Sequence, residues 1–293
     1  MKLDFFIVGL GDVGRRVARH YLDQCASVGA LSRTAPPTEL AGCRWTHADL
    51  DVPASLTELP IVGSGVFYFA PPATTGTGDV RMQAWLASLH PYALPRKVVM
   101  ISTTAVYGDC AGAWITELTP AHPDTDRGRR RLAAEQLLQA WSGRSGVPSV
   151  ILRVAGIYGA ARLPIDKVRA GAPVIRADEA WFTNRIHEDD LTQVCVAAMA
   201  RAPAGAIYNV ADGQPSTMTD YFYQIADLFA LPRPPAVTRD QAQTTLSPAM
   251  WSYLNESKRI DNRKMLDELG IKLRYPSLRE GLAAIKITLS KHS

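Results

Sequence analysis

The sequence lacks the long apolar segments that cross membranes. Hydrophobic residues make up 47% and charged residues 20% of its 293 positions, a mixture typical of globular proteins in water. No apolar run approaches the roughly 20 residues that a spanning helix needs. Lys2 leads directly into a predicted strand, without the small-residue cleavage site of a signal peptide. We therefore expect a cytoplasmic protein that has no membrane partner.

Cysteine and excess charge are also scarce. The four cysteines lie far apart and form no C-x-x-C pair, which argues against a disulfide framework or a metal knuckle and predicts no metal site. The formal net charge of +4 is small for this length. Such a weak and scattered excess suits an anionic cofactor but does not predict a nucleic-acid partner.

A glycine-rich turn near the start of the chain is the strongest local pattern. Residues 2–8 form an apolar, β-branched run, Gly9 to Gly14 spell G-x-G-x-x-G, and residues 15–22 carry helical apolar spacing. In this strand–turn–helix setting the motif predicts a dinucleotide site, whose pyrophosphate lies at the helix N-terminus. A glycine-rich turn without a ligand is the alternative. The predicted cofactor contacts of the turn are Gly9, Gly11, Asp12, Val13 and Gly14.

The acidic residue that selects NAD is missing after the second predicted strand. In NAD-binding units an acid about 20 residues after the glycine motif holds the ribose 2′-hydroxyl. Here the strand ends in Ser32-Arg33-Thr34. A cation at this place suits the 2′-phosphate of NADP, so we expect NADP to be preferred and NAD to be the less favoured cofactor. A solvated loop arginine is the alternative.

Predicted strands and helices alternate through the first two hundred residues. This alternation predicts an α/β fold, a doubly wound parallel Rossmann sheet. Prolines are dense at 232–235, and the helical patterns that follow predict a small, mostly helical C-terminal substrate lobe. We assign residues 1–154 and 186–212 to the dinucleotide-binding domain, and residues 155–185 and 213–293 to the substrate lobe. The predicted strands are 2–8, 26–31, 45–50, 65–70, 97–102, 149–154 and 206–210, and the predicted helices are 15–22, 80–89, 127–141, 190–201, 261–269 and 277–289.

Further motifs follow in a fixed order. Thr103-Thr104-Ala105-Val106-Tyr107-Gly108 ends the fifth predicted strand, and Asp49-Leu50 ends the third. Later come Arg153 to Gly159, Arg185-Ile186-His187-Glu188-Asp189-Asp190, and Tyr208-Asn209-Val210. Together with the glycine turn, this series resembles the extended short-chain dehydrogenase/reductase family, which includes the sugar-nucleotide epimerases and dehydratases. Ala160 replaces the proline that the family has after Tyr158-Gly159.

The resemblance implies roles for particular residues. Cofactor contacts would extend to Asp49, Leu50, Ala70, Pro71 and Arg131. Substrate contacts would be Thr104, Arg153, Tyr158, Arg185 and His187. The family also pairs two helices across a two-fold axis, which implies a homodimer. Here those helices carry the apolar residues Met82, Trp85, Leu86, Leu89, Leu132, Leu137, Leu138 and Trp141.

The chain departs from the family at its chemical centre. The family uses a Ser or Thr, here Thr103, together with a Tyr-x-x-x-Lys pair, whose positions are occupied by Arg127 and Arg131. An arginine stays protonated at any working pH and cannot replace the tyrosine as general acid. Arg127 could instead clamp an anionic substrate group. The proton would then come from Tyr107, His187 or water, although Tyr107 also fits a packed residue at a strand end.

Two functions remain open from the sequence. One is an NADP-dependent oxidoreductase or epimerase/dehydratase-type enzyme acting on a small polar substrate, with anionic compounds among the candidates. The other is a non-catalytic NADP-binding sensor or regulatory protein, which the loss of the tyrosine–lysine pair favours. The retained Thr103, Arg153 and Arg-Ile-His segment favour the enzyme, since a sensor needs no substrate pocket.

Overall fold

A parallel β-sheet of seven strands forms the centre of the molecule. The structure, a computed structural model, describes residues 3–245, 251 and 254–290. The strand order is β3-β2-β1-β4-β5-β7-β12, with every neighbouring pair parallel. The strands are β1 Phe5–Val8, β2 Val28–Ser32, β3 Arg44–His47, β4 Gly65–Tyr68, β5 Lys97–Thr103, β7 Ser149–Val154 and β12 Ile207–Val210.

Helices cover both faces of the sheet, which explains why its inner strands are mostly apolar. β4 and β7 are buried along their whole length, as expected for parallel strands packed on both sides. One face packs against α1 and α5, and the other against α2 and α3. These helices are α1 Asp12–Leu22, α2 Val80–Ala87, α3 Asp126–Ser145 and α5 Glu188–Arg201.

The C-terminal part adds short elements around a second apolar core. Tyr158, Phe222, Ile225 and Leu282 are buried in this core, which lies beside the carboxyl ends of the sheet strands. The helices here are α4 Ile165–Arg169, α6 Met218–Leu228, α7 Arg239–Thr245, α8 Arg263–Leu269 and α9 Leu278–Ser290. The short strands are β6 Trp114–Ile115, β8 Gly156–Tyr158, β9 Val174–Ile175, β10 Phe182–Thr183, β11 Arg185–His187, β13 Ser216–Thr217, β14 Ala236–Val237 and β15 Arg259–Ile260. No helix within the described ranges is both long and apolar enough to cross a membrane.

The predicted α/β fold is confirmed, with differences at element ends. The third predicted strand, 45–50, ends early at His47, because Ser55 Oγ accepts the Asp49 amide and draws Ala48 to Leu50 into a turn. Helix α3 runs four residues further than predicted and ends at Ser145, where Gly146 takes a left-handed conformation (φ 73°). Lys2, the predicted start of the first strand, lies outside the described residues.

The apolar stripes expected to form a dimer contact are mostly buried within the chain. Met82, Trp85 and Leu138 are fully buried against the sheet, and Leu89 and Trp141 nearly so. These side chains form part of the core of the chain, because α2 and α3 pack on the sheet with their apolar sides. They are therefore not exposed for contact with a second copy. Leu86, Leu132 and Leu137 are only half-buried.

Candidate functional site

A cavity of about 360 Å³ opens at the carboxyl ends of β5 and β7. Ligands of open α/β sheets bind at this edge. Thr103, Thr104, Arg127 and Arg131 all line the cavity, so the structure brings these four predicted residues together. The remaining lining residues are Pro71, Pro72, Ile101, Ser102, Ala105, Val154, Ala155, Gly156, Ile157, Arg162, Phe182, Thr183, Asn184, Glu256 and Lys258.

Thr103 stands where β5 gives way to a 3-10 turn. Its Oγ1 accepts a hydrogen bond from the Ala105 amide at 3.3 Å and so caps the turn Thr104–Tyr107. This is a long bond, and the hydroxyl hydrogen stays free to donate elsewhere. Thr103 can therefore orient an oxygen in the cavity without losing its structural contact.

Arg127 and Arg131 project from the first turns of α3. Thr125 caps this helix, with Oγ1 accepting from the Gly128 amide at 3.1 Å. Arg127 is exposed and forms no side-chain hydrogen bond or ion pair with any described residue. Arg131 is buried and donates to the Ala70 carbonyl at 3.3–3.4 Å. Burial lowers the pKa of Arg131, while the charge of Asp79 opposes this effect.

The glycine turn has the shape that a dinucleotide requires. Gly9 adopts φ +96°, and a Cβ there would lie 2.7 Å from the Ala70 nitrogen, so only glycine fits between the ends of β1 and β4. A Cβ at Gly11 would meet nothing within 4 Å, whereas one at Gly14 would lie 2.5 Å from the Gly9 carbonyl oxygen. The first amides of α1 have no intrahelical partner, and Gly11 offers no side-chain cap. The turn thus combines open space with donors for an anion, and a pyrophosphate fits this cradle.

An acidic residue in this cradle is neutralised by its neighbour. Asp12, at the start of α1, forms an ion pair with Arg162 at 2.9 Å. Arg162 also lines the cavity. Arg16, one turn into α1, forms ion pairs with Glu188 and with Asp189. Its charge is therefore balanced by two carboxylates of α5.

Arg33 follows the end of β2 and forms no hydrogen bond or ion pair with a described residue. Arg33 is exposed. The hydrogen bond from Arg81 lowers the pKa of Asp51, and the charges of Arg81 and, to a smaller extent, Arg33 lower it further. Asp51 is held by Arg81 at 2.5 Å. Asp49 accepts the Asp51 amide at 3.0 Å and shapes the same loop. Leu50 beside it is buried.

Two predicted residues lie behind the cavity wall instead of facing it. Tyr107 is 2% exposed and donates its hydroxyl to Asn209 Oδ1 at 2.8 Å. Arg153 lies over the Tyr107 ring and forms an ion pair with Glu135 at 2.8 Å. Neither lines the cavity, because each has a buried partner that holds it in the core. For Tyr107 this agrees with the alternative interpretation, that of a packed residue at a strand end.

Tyr158 and Arg185 line a neighbouring cavity of about 260 Å³, which shares Gly156, Ile157 and Arg162 with the first. The Arg185 guanidinium donates to Ser216 Oγ at 2.6 Å and lies 4.3 Å from the Tyr221 ring. This second cavity faces the C-terminal core. The two predicted residues therefore lie next to the cavity that Thr103 and Arg127 line, and not in it.

His187 caps α5. Its Nδ1 accepts the Asp189 amide at 3.1 Å, and its ring packs between Tyr158 and Tyr275. Burial lowers its pKa to about 4. A neutral histidine whose acceptor nitrogen is occupied in this way holds the helix start, and it lines neither cavity.

Sequence reasoning missed Glu256 and Lys258. They lie in the irregular segment before β15, which carries no motif and no periodic pattern. Two tertiary contacts bring them to the cavity. One is the pairing of β15 with β6. The other is Asn184, whose side chain donates to the Lys258 carbonyl and accepts from the Ile260 amide, both at 2.9 Å. The sequence indicated this pair only by placing a glutamate two residues before a lysine.

Comparison with known proteins agrees with this geometry. A sequence model described as the NAD dependent epimerase/dehydratase family matches residues 6–211. A functionally unknown conserved protein from Silicibacter pomeroyi DSS is 33% identical in sequence, with a TM-score of 0.82 over 98% of this chain and 99% of that one.

Two further similarities are more distant. The structure of MoeE5 in complex with UDP-glucose and NAD is 23% identical, with a TM-score of 0.77 over 99% of this chain and 100% of that one, and shows the same fold. The dTDP-glucose 4,6-dehydratase of Haemophilus influenzae is 27% identical over 44% of this chain and 41% of its own length. The chain thus spans less than half the length of the curated relatives it matches.

Proposed function

Because the chain belongs to the NAD-dependent epimerase/dehydratase family, we propose that it is an NADP-dependent oxidoreductase or epimerase-type enzyme acting on a small, anionic polar substrate. The observation that carries this proposal is the environment of Arg127. Its guanidinium has no partner among the described residues, yet it lines a cavity shared with Thr103. Arg127 occupies the position where the family has its catalytic tyrosine. Because its side chain contributes no hydrogen bond or ion pair to the described fold, we expect its guanidinium to bind a ligand.

The charge of the cavity supports an anionic substrate. Arg127, Arg131, Arg162 and Lys258 line it against one carboxylate, that of Glu256. Arg162 and Lys258 are already in ion pairs, and Arg131 donates to the Ala70 carbonyl. Arg127 is therefore the cation of the cavity that has no partner among the described residues. Its planar fork can hold a carboxylate or phosphate through two parallel hydrogen bonds.

The roles of the remaining residues follow from their places. When bound, the nicotinamide ring supplies or accepts a hydride. Gly9 to Gly14 would hold the pyrophosphate, and Arg33 the 2′-phosphate. Thr103 would orient the reacting oxygen of the substrate, and Arg131 would close the cavity floor against Ala70. Ala70 and Pro71 would border the cofactor, and Thr104 the substrate.

A sugar nucleotide is one substrate of the required chemistry. MoeE5 was crystallised with UDP-glucose, and a nucleotide sugar carries both a diphosphate and the hydroxyl groups that Thr103 could orient. The second cavity, with Tyr158 and Arg185, would then receive the part of the substrate beyond the reacting ring. We assign residues 155–185 and 213–293 to this substrate lobe.

Incubation of the protein with NADP or NAD and a panel of substrates tests the proposal. The panel contains UDP-glucose, dTDP-glucose and small hydroxy acids, and products are followed by cofactor absorbance and by chromatography, since an epimerase shows no net redox change. Turnover of an anionic member supports the proposal. Tight NADPH binding without turnover of any member would contradict it and favour a sensor.

A further inference from the structure

The cavity needs a proton donor that the arginines cannot supply. Arg127, Arg131 and Arg162 stay charged at working pH. The hydroxyls of Thr103 and Thr104 are too weakly acidic to give up a proton by themselves. Among the described residues that line the cavity, this leaves Glu256 and Lys258 as the only carboxyl and amine groups, which are side chains that can exchange a proton with a ligand.

Glu256 and Lys258 form a buried ion pair with unused hydrogen-bonding capacity. Their side chains are 9% and 7% exposed, and Lys258 Nζ lies 2.6 Å from Glu256 Oε2 and 2.5 Å from the Gly108 carbonyl oxygen. An ammonium group has three hydrogens, and described residues accept only these two. Glu256 Oε1 is buried and has no partner in the part of the chain that the structure describes. One donor and one acceptor therefore remain for a ligand.

The backbone holds this pair in place. Asn184 bonds to the carbonyl of Lys258 and to the amide of Ile260, and Ser257 donates its amide to Asp109 at 2.7 Å. Such two-sided anchoring limits the movement of the lysine stem. The other titratable or charged groups around the pair are Asp109 and Cys110 of the loop after Gly108, Asp124 just before α3, and Arg127, Arg131 and Arg162 of the cavity wall.

We propose that Lys258 is the proton donor of this cavity and that Glu256 positions it; this inference rests on the proposed function. When a substrate carbonyl carbon accepts the hydride that a bound nicotinamide would supply, the third N–H bond of Lys258 breaks and leaves its electron pair on Nζ. The proton forms the new O–H bond on the substrate oxygen, which Thr103 orients. The neutral amine then regains a proton from water. In the oxidative direction, the amine takes the proton of the substrate hydroxyl.

Kinetics of the full chain with NADPH and the substrate that the panel identifies tests the proton transfer. Lys258→Met should lower kcat about 10²- to 10⁴-fold with KM changed less than about threefold, and should remove one limb of the pH–rate profile. Lys258→Arg keeps the charge but cannot release a proton, so it should not restore kcat. A wild-type kcat in Lys258→Arg would overturn the proposal.

Folding must be separated from chemistry in these variants. Removal of one partner leaves an uncompensated buried charge, so the double substitution Lys258→Met, Glu256→Gln provides a second, neutral test with the same expected loss of kcat. Lys286→Met is the matched control. Lys286 Nζ also donates to a backbone carbonyl, that of Leu228, but it is exposed and lines neither cavity. Its kcat should equal that of the unmutated protein.

Labelling with pyridoxal 5′-phosphate and borohydride distinguishes failure of this inference from failure of the proposed function. The probe is an anionic aldehyde, so its phosphate should seat on Arg127 and its carbonyl should trap the Lys258 amine, with the site read by peptide mass spectrometry. Arg127→Ala should reduce the yield at Lys258 several-fold. Labelling at Lys258 supports its place at the reacting end even if no panel member turns over, a result that would contradict the proposed function alone. Labelling of Lys286 without Lys258 would overturn the inference.

Discussion

Arg153 and Glu135 form an ion pair in the interior, with Arg153 Nη2 at 2.8 Å from Glu135 Oε2 and side chains only 6% and 1% exposed. Ser102 donates to the other carboxylate oxygen. This arrangement ties α3 to β5 and β7 directly beneath the cavity. It keeps the N-terminal turns of α3, with Arg127 and Arg131, at a fixed distance from Thr103.

Loss of one partner of this pair should destabilise the fold strongly. We expect Glu135→Ala to lower the free energy of unfolding by about 3–5 kcal/mol, because Arg153 would remain as a buried uncompensated charge. Urea denaturation measures this. Asp126→Ala is the control, since Asp126 pairs with Arg129 on the exposed side of the same helix, and the loss of such a solvent-screened pair should lower the free energy of unfolding far less. Equal losses in the two variants would contradict the role of the buried pair.

Arg33 should determine the choice of cofactor. We expect the protein to bind NADPH more tightly than NADH, and Arg33→Asp to erase or reverse the preference, because a carboxylate repels the 2′-phosphate and suits a 2′-hydroxyl. Calorimetric titration with both cofactors measures it. Arg144→Asp makes the same charge change in the last turn of α3 and should leave the ratio of affinities unchanged. Equal affinities in the unmutated protein would disprove the preference.

Thr103 and Arg127 should affect different kinetic constants. Thr103→Ala should reduce kcat roughly 10²-fold, as is typical when one oriented donor is lost. Arg127→Lys should raise KM, since a point charge cannot reproduce the two parallel bonds of the guanidinium. Steady-state kinetics on the substrate found by the panel measures both.

Neighbouring surface residues serve as controls for these two variants. Thr116→Ala removes a hydroxyl from an exposed turn, and Arg129→Lys replaces an arginine on the exposed side of α3. Both should behave like the unmutated protein. Cofactor affinity should change little in any of the four variants. An unchanged KM in Arg127→Lys would indicate that Arg127 points into solvent as part of a charged helix face.

Asp212 should make stability fall as the pH rises. Burial raises its pKa to about 7, and Oδ2 has no partner among the described residues. Because the folded pKa lies above the unfolded value, the stabilisation is complete below about pH 4 and is lost towards pH 7. Asp212→Asn removes this dependence, so its stability relative to the unmutated protein should increase by about 2 kcal/mol from pH 5 to pH 7.

The comparison with a variant is needed because His187 acts in the opposite direction. Its lowered pKa of about 4 costs stability as the pH falls below about 6.5, since the unfolded state then binds the additional proton. The two effects partly cancel in the unmutated protein. Urea denaturation at both pH values isolates Asp212, and parallel curves for Asp212→Asn and the unmutated protein would contradict the raised pKa.

A homodimer remains a prediction. Although the apolar sides of α2 and α3 are buried in the core, their outer surface forms a shallow groove whose lining includes Val80, Ala133, Leu137 and Ala140 beside the polar Asp79, Gln83 and Gln136. Small and apolar residues there would allow two helix pairs to approach closely. Light scattering should give about twice the chain mass of 31.9 kDa. A mass near 32 kDa at micromolar concentration would disprove the dimer.

The sequence by itself determined the sheet and the cofactor turn. Both depend on local chemistry: apolar runs of strand length, helical spacing, and glycines whose missing Cβ leaves room for Ala70 and for an anion. The juxtaposition of Thr103, Arg127 and Arg131 could also be predicted, since strand ends and following helix starts meet at one edge of a parallel sheet.

Only the tertiary structure decided which polar residues face the cavity. Arg153 and His187 stand in motifs that suggested substrate contact, yet Glu135 and the start of α5 hold them elsewhere. Lys258 stands in no motif, yet the pairing of β15 with β6 brings it to the site from more than a hundred residues away. The direction of a side chain depends on partners distant in sequence, and neither periodicity nor spacing within one segment encodes those partners.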